Sequence, residues 1–179
     1  MCTFMDILVR TAVVSDAAAV ASIDLRGWQT AYADIISPDF LAALPLDKIT
    51  ESWTAGISAG TMSDGGRIFV AEFDRKVLGW MTCGASRDED APSDVGELHG
   101  VYVDPQAWGQ GIGSALMAEC LTQLRSQGYC RATLWVFADN DSTRGWYERQ
   151  GWRPDGTESL FPIAGTELPV VRYELPLTT

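Results

Sequence analysis

The sequence lacks the residues that metal centres and disulfide-stabilised folds need. It has four cysteines, none of them in a CxxC pair, and a single histidine, His99. A zinc site of the usual type needs several Cys or His ligands at short spacings, so the count argues against a metal cofactor. Scattered cysteines in a chain of this size are typical of reduced thiols, and we expect a cytoplasmic location.

Long hydrophobic runs are missing as well. No unbroken apolar stretch exceeds five residues, the length of Ala17 to Ala21. A helix that crosses a bilayer needs about 20 apolar residues, so we expect neither a membrane-spanning segment nor a membrane partner. The first ten residues, MCTFMDILVR, do not combine a basic stretch with a following apolar run. They therefore predict no signal peptide.

Basic residues are scarce. Thirteen Lys and Arg stand against 24 Asp and Glu, which gives a formal net charge of −11. Such a surface repels phosphate backbones, so we expect no nucleic-acid partner. It attracts cationic small molecules or basic peptides, although a negative charge of this size also serves solubility alone.

The pattern of apolar residues predicts one α/β domain over residues 1–179. This length suits a single domain, and neither an internal repeat nor a low-complexity linker divides the chain. Strands are predicted at 7–11, 67–74, 77–85, 97–103 and 131–137, with further strand signals near 152–153 and 170–175. Helices are predicted at 15–30, 112–127 and 142–150, with short helices between 33 and 60. We expect a mixed central β-sheet with helices on both faces, and Gly100 within a strand predicts either a β-bulge or a close approach of another backbone.

The most informative segment is PQAWGQGIG, residues 105–113. It follows a predicted strand and opens a predicted amphipathic helix, so its glycines leave backbone N–H groups unshielded at a helix N-terminus. Amide donors and the helix dipole together favour an anion there. The segment lacks the Lys and Ser/Thr of a P-loop, and it has GxGxG where a dinucleotide fingerprint has GxGxxG. A structural turn without a ligand is the alternative at this point.

Three segments resemble, in the same order, the motifs of the GNAT superfamily of N-acyltransferases. Gln106 to Gly111 matches the Q/R-x-x-G-x-G/A signature, and residues 97–105 resemble the strand that leads into it. Downstream, Asn140 followed by Trp146-Tyr147-Glu148-Arg149 and Gly151-Trp152 resembles the family's N-x-x-A-x-x-F-Y-E-x-x-G-F region. Three ordered segments are far more specific than any one of them.

The resemblance implies a single GNAT-like domain that transfers an acetyl group from acetyl-CoA to a primary amine, by direct attack in a ternary complex. Two departures, Thr143 in place of Ala and Trp152 in place of Phe, remove no group that this chemistry needs. The resemblance assigns the cofactor contacts to one strand, to the glycine loop and to an asparagine: Val101, Tyr102, Val103, Gln106, Trp108, Gly109, Gln110, Gly111, Ile112, Gly113, Ser114 and Asn140. As an alternative, Asn140 is only a turn and helix-capping residue.

Acyl transfer to an amine needs a group that protonates the departing thiolate and a route by which the amine loses its proton. By resemblance the hydroxyl of Tyr147 is the acid, although a tyrosine on an amphipathic helix is also a common core residue. Glu97 and His99 are two apart on one predicted strand, so their side chains share a face. We rank Glu97 first as the base, because many family members carry a carboxylate there, and His99 second. A base is unnecessary if the amine binds neutral.

The sequence does not identify the acceptor. Trp28, Tyr32 and Trp80 are the candidates for an aromatic acceptor pocket, although tryptophans are more often core residues. Acidic side chains elsewhere would attract a cationic amine, or are simply solvated: Asp34, Asp39 and the loop Asp88 to Asp94. We expect a small-molecule or peptide amine as the acceptor.

Other mechanisms and functions stay open. We disfavour a cysteine relay, since no base lies near in sequence to the cysteines on predicted packed elements: Cys83, Cys120 and Cys130. A non-catalytic acyl-CoA-binding or regulatory module would keep the glycine loop but lack an acceptor pocket. A partner-binding protein would use the loop only as a turn. A homodimer is a further open arrangement, because exposed strands and the tail Leu175-Pro176-Leu177 could pair across a two-fold axis.

Overall fold

The computed structural model describes residues 7–63, 65–89 and 91–177. Most of the N-terminal segment considered above for a signal peptide, together with Cys2, lies outside these residues. The helices are α1 (Ala17–Ala31), α2 (Pro38–Ala42), α3 (Leu46–Ala59), α4 (Ile112–Ser126) and α5 (Asp141–Arg149). The strands are β1 (Leu8–Thr11), β2 (Arg67–Phe73), β3 (Lys76–Ala85), β4 (Val95–Val103), β5 (Arg131–Phe137), β6 (Arg153–Ile163) and β7 (Thr166–Pro176).

All seven strands form one sheet in the order β1-β2-β3-β4-β5-β7-β6. Every neighbouring pair is antiparallel except β4 and β5, which run parallel. A parallel pair needs a crossover, and α4 supplies it between these two strands. The predicted mixed sheet is therefore confirmed.

Helices cover both faces of the sheet, as predicted. On one face the core joins α4 and α5 to the strands through residues such as Met81, Leu98, Leu116 and Tyr147. On the other face, α1 and α3 pack over the strands through a second cluster. Gly79 allows α4 to pack close to β3, because a Cβ at this position would lie 2.9 Å from Leu116 Cδ1. The helix that follows the glycine loop is thus packed closely onto β3.

The sheet opens between β4 and β5. Their parallel pairing covers only Val95 to Glu97 against Arg131 to Thr133, although both strands continue beyond it. On the other side of β4, Thr82 opposes Gly100 and Cys83 opposes Leu98, so one extra residue is inserted. The extra residue is His99, beside Gly100, so of the two alternatives predicted there the β-bulge is confirmed. A bulge bends its strand and increases the local twist, which accompanies the separation of the two strands.

The C-terminal strands are the main difference from the predicted elements. The sequence indicated strand only near 152–153 and 170–175, whereas β6 and β7 are each 11 residues long and form a hairpin. Most of β6 is exposed, so it lacks the apolar alternation that marks a half-buried strand. Among the helices of the described residues, none is long and apolar enough to cross a membrane.

Candidate active site

The cleft between β4 and β5 exposes one edge of the β4 backbone. The N–H of Asp104 donates to Leu78 O at 2.8 Å, so this peptide group points toward β3. Successive residues of a strand alternate in direction, so the N–H groups of Val103 and Val101 point into the cleft. The carbonyl oxygen of Val103 accepts a 3.0 Å hydrogen bond from the indole N–H of Trp108. The N–H groups of both valines and the carbonyl of Val101 are therefore directed at whatever occupies the cleft.

The glycine loop lies at the wide end of this cleft. Gly109 and Gly111 have φ angles of 76° and 86°, in the left-handed region that only glycine adopts readily. Gly111 is the N-cap of α4 and has no side chain to cap the first amides of that helix. These amides, from Ile112 to Ser114, border a cavity of 780 Å³. Unsatisfied N–H groups and the helix dipole suit this end, called the anion site below, to a negatively charged group.

A close packing contact fixes the third glycine of the loop. A Cβ on Gly113 would lie 3.1 Å from Cζ2 of Trp146, a residue of α5. The absence of a side chain at this position therefore brings the start of α4 against α5. Because α5 carries Tyr147, this contact links the anion site to the predicted acid.

Asn140 and Tyr147 stand where two cavities meet. Both residues border the 780 Å³ cavity and a second cavity of 420 Å³. Asn140 is the N-cap of α5, where its Oδ1 accepts a 3.2 Å hydrogen bond from the N–H of Thr143. The predicted capping role of Asn140 is thus confirmed. Burial raises the pKa of the Tyr147 hydroxyl, with smaller contributions from Tyr32 and Cys120, so the group stays protonated at neutral pH.

Aromatic side chains surround the second cavity. Trp28, Tyr32 and Trp80, the three residues predicted to form an acceptor pocket, all border it. Trp80 stacks on Tyr102 with ring centroids 4.9 Å apart, and Trp28 meets Tyr32 edge-on at 5.1 Å. The hydroxyl groups of Tyr32 and Tyr102 are 2.7 Å apart. The three residues predicted from the sequence to form one pocket therefore line the same cavity in the structure.

Sequence reasoning missed Asp24 of α1. Its carboxylate borders the aromatic cavity and accepts a 3.1 Å hydrogen bond from the indole N–H of Trp53. Burial raises the pKa of Asp24 to about 6, while Trp53 and the nearby indole of Trp28 act in the opposite direction. An aspartate within an amphipathic helix carries no sequence signal of this kind, because its environment depends on α3.

The two predicted bases are held by protein groups. Glu97 is fully buried, and its carboxylate accepts hydrogen bonds from the backbone N–H of Arg87 at 2.7 Å and from its Nε at 2.9 Å. The side chain of Arg87 borders the aromatic cavity, as does His99. His99 Nε2 lies 2.9 Å from the carbonyl oxygen of Ala85, and its Nδ1 is shielded from solvent. Neither group presents an accessible basic atom to the cavity in this conformation.

A comparison with known protein families agrees with this geometry. Residues 29–152 match the model of the Acetyltransferase (GNAT) family, a span that includes the open edge of β4, the glycine loop and Tyr147. The chain belongs to the GNAT family of acetyltransferases.

Individual relatives of this acetyltransferase extend over nearly the whole chain. An uncharacterised N-acetyltransferase of Bacillus subtilis is 29% identical over 172 residues, which cover 95% of this chain and 93% of that protein. The crystal structure of PaiA N-acetyltransferase from Thermoplasma acidophilum, in complex with coenzyme A, superposes with a TM-score of 0.74 at 19% identity, covering 96% of this chain and 99% of that one. That of ribosomal-protein-alanine N-acetyltransferase from Brucella melitensis gives 0.72 at 24% identity, covering 94% and 99%. These structures share the fold.

Three residues predicted to contact the cofactor of this acetyltransferase lie differently from the others. The side chain of Tyr102 borders the aromatic cavity and not the glycine-loop cavity. Gln106 and Gln110 are exposed and border neither cavity. The N–H of Gln106 donates to Asp104 Oδ1 at 3.1 Å, so this residue shapes the turn before the glycine loop.

The acidic loop of the acetyltransferase is only partly solvated. Asp88 accepts hydrogen bonds from the indole of Trp135 at 2.9 Å and from Arg172 at 2.8 Å. Asp94 accepts a hydrogen bond from the thiol of Cys130. The prediction that Cys130 lies on a packed element is wrong, because this residue precedes β5 and is exposed. Asp90, within the same loop, lies outside the described residues. Since Asp88 already has a cationic partner, this loop is a weak candidate for attracting a charged acceptor.

Proposed function

We propose that this acetyltransferase transfers an acetyl group from acetyl-CoA to a primary amine of a small molecule or peptide. The observation that carries the proposal is the wall shared by its two cavities. Val101, Val103, Asn140 and Tyr147 border both the glycine-loop cavity and the aromatic cavity. A donor in the first and an acceptor in the second would therefore meet at these residues.

The residues of the first cavity fit coenzyme A. The amides at the start of α4 suit a pyrophosphate, and the positive φ angles of Gly109 and Gly111 hold the loop in the shape that presents them. The directed N–H groups of Val101 and Val103 suit the amide groups of a pantetheine arm. Arg149 borders the same cavity and supplies a positive charge there. When bound, acetyl-CoA would supply an acetyl thioester whose carbonyl is open to attack by an amine.

Tyr147 is proposed as the residue that donates a proton, or a hydrogen bond, at the sulfur. Its hydroxyl stays protonated because burial raises its pKa. Within the described residues no side chain or backbone group forms a hydrogen bond with this hydroxyl, so its proton is available to a ligand. Packing against Trp146 and Trp152, with ring centroids at 5.1 and 6.3 Å, fixes the ring.

The amine is proposed to attack the thioester carbonyl in its neutral form, so that an N–C bond forms and the C–S bond breaks. The nitrogen then releases one proton to water. Glu97 is engaged with Arg87, and the basic nitrogen of His99 is shielded from solvent. The base roles of these two residues stay predictions, and their surroundings favour a positioning role for both. Direct transfer is favoured over a cysteine relay, because Cys83 and Cys120 are fully buried and Cys130 borders neither cavity.

Isothermal titration with acetyl-CoA, CoA and NADP tests the donor site. We expect both coenzyme A species to bind and NADP not to bind. Release of free thiol with a panel of amines then tests transfer. Binding without turnover on any amine would favour the non-catalytic acyl-CoA-binding module, and absence of binding would make the glycine loop a structural turn.

A further inference from the structure

The carboxylate of Asp24 on α1 has no cationic partner among the residues that the structure describes. Elsewhere the well-buried carboxylates each pair with an arginine: Asp16 with Arg10, Glu97 with Arg87 and Asp104 with Arg26. Asp24 is only partly buried, yet within the described part of the chain no Lys, Arg or His forms an ion pair with it. Trp53 donates a hydrogen bond to it, and the indole of Trp28 lies nearby.

The charge of Asp24 faces a space that a ligand can enter. Its side chain borders the aromatic cavity, so a group bound there would reach the carboxylate. A carboxylate withdrawn from water is costly unless a positive charge or several donors compensate it. Neutral indole N–H groups from Trp53 and Trp28 compensate it only weakly, and burial accordingly raises the pKa of Asp24 to about 6. At neutral pH most of the population still carries the charge.

The walls around Asp24 also favour a cation. Trp53 meets Trp80 at 4.5 Å between ring centroids, and Trp80 stacks on Tyr102. All three border the same cavity. The faces of indole and phenol rings attract ammonium groups through their quadrupoles, and this attraction grows when water is excluded. A carboxylate beside several such rings is a combination that binds alkylammonium groups.

Two features distinguish the group bound at Asp24 from the amine that reacts. The Cα atoms of Asp24 and Tyr32 are eight residues apart, about 12 Å along the helix axis, although the Asp24 carboxylate still acts electrostatically on the Tyr32 hydroxyl. Tyr32 contacts Phe137 at the end of β5, 5.0 Å between centroids, and so lies toward the shared wall that holds Tyr147. Moreover, a carboxylate keeps an ammonium protonated, whereas the attacking amine must be neutral. The group at Asp24 therefore differs from the amine that reacts.

We propose that Asp24, with the rings of Trp53, Trp80 and Tyr102, binds a second, positively charged group of the acceptor, so that the acceptors are diamines or other amines that carry a separate cation. This inference rests on the proposed transfer to an amine and names the class of acceptor. The net charge of −11 favours the approach of such molecules.

The first experiment compares diamines with amino alcohols of the same chain length, which lack the second charge. In the wild-type protein we expect kcat/KM to be at least about 10-fold higher for the diamine, the effect of about 1.4 kcal/mol. Asp24→Asn keeps an oxygen for Trp53 but removes the charge, and should abolish this preference. Asp47→Asn, an exposed position in the first turn of α3, is the matched control and should keep the preference.

A second experiment measures binding without turnover. Tetramethylammonium has a fixed charge and cannot be acetylated, so its titration, followed by tryptophan fluorescence, reports the Asp24 site alone. We expect binding to the wild-type protein and to Asp47→Asn, with at least a 10-fold weaker affinity in Asp24→Asn. The inference would be overturned if the ratio of kcat/KM between diamine and amino alcohol were the same in the wild-type protein and in Asp24→Asn. Equal affinity of the two proteins for tetramethylammonium would overturn it as well. Asp24-dependent binding without acetylation of any amine would support it and count against the proposed transfer only.

Discussion

The indole N–H of Trp53 donates a hydrogen bond to the carboxylate of Asp24, which joins α3 to α1 beside the aromatic cavity. The bond is 3.1 Å long and links residues 29 positions apart. It anchors a charge that the helices alone would leave uncompensated. The two helices thus form one wall of the aromatic cavity and contribute its negative charge.

Removal of this charge should stabilise the folded protein at high pH. The pKa of Asp24 is about 6 in the folded state against an ordinary value of 3.8. A carboxyl with a raised folded pKa favours folding below pH 3.8, and this contribution is lost as the pH rises through about 6. Asp24→Asn should therefore raise the free energy of unfolding by about 1–3 kcal/mol at pH 8 and by little near pH 4. Urea unfolding at both pH values measures the difference, and an equal effect at the two would contradict it.

Loss of the Tyr147 hydroxyl should slow the reaction while leaving the donor site intact. We expect Tyr147→Phe to lower kcat about 100-fold, within the usual range for a general acid, with the Kd of coenzyme A unchanged. Steady-state kinetics and calorimetric titration provide the two numbers. A variant that retains the wild-type kcat would remove Tyr147 from the acid role.

The glycine at the N-cap of α4 should matter for the donor more than a matched glycine at the other end of the same helix. Gly111→Ala forces a non-glycine residue to a φ of 86° beside the amides of the anion site. We expect coenzyme A affinity to fall at least about 10-fold, or about 1.4 kcal/mol.

Gly128→Ala is the control for this change. Gly128 has a φ of 87°, follows the C-terminal end of α4 and has nothing within 4 Å of an added Cβ. Both variants should lose about 1 kcal/mol of stability from backbone strain. Calorimetry should show wild-type affinity only in Gly128→Ala, and equal losses of affinity would indicate that the loop acts through stability alone.

The buried ion pair behind the aromatic cavity should respond unequally to loss of its two members. Arg87→Gln leaves the fully buried Glu97 without its cation, and we expect it to cost about 3–5 kcal/mol of stability. Glu97→Gln leaves Arg87 without its carboxylate, but the Arg87 side chain is 40% exposed and can reach water. We therefore expect this variant to lose about 2 kcal/mol of stability. Thermal or urea unfolding of the two variants gives the ranking, and the reverse order would contradict this account.

The dependence of kcat/KM on pH should follow the acceptor rather than a protein base. If the amine reacts from its neutral fraction, the rate rises tenfold per pH unit up to the pKa of the amine. Glu97→Gln and His99→Gln should then lower the rate without moving the inflection. Profiles for two amines of different basicity decide the matter, since an inflection that stays fixed for both and disappears in either variant would identify that residue as the base.

Sequence patterns predicted the fold where the relevant interactions are local. The glycine loop was recognisable because left-handed φ angles at Gly109 and Gly111 require glycine, and the bulge because Gly100 interrupts a strand. β6 was largely missed, since an exposed strand at the sheet edge has no apolar period to reveal it.

The chemistry of individual side chains was harder to predict, because it depends on residues that are distant in sequence. Strand geometry predicted that the side chain of Glu97 lies on the same face as that of His99. Its pairing with Arg87, however, depends on how the loop after β3 folds back. Asp24 resembled any polar residue of an amphipathic helix until α3 placed Trp53 beside it. Trp28, Tyr32 and Trp80 were selected for residue type alone, and only the tertiary fold gathers them around one cavity.

The open edge of β4 has a consequence for how this enzyme can change over time. The groups that face the cleft there, the N–H groups of Val101 and Val103, are present whatever side chains those positions carry. The aromatic cavity, proposed above to hold the acceptor, in contrast owes its shape and charge to side chains such as Asp24 and Trp80. Point substitutions can therefore redirect the acetyltransferase toward new amines while recognition of the donor stays largely constant.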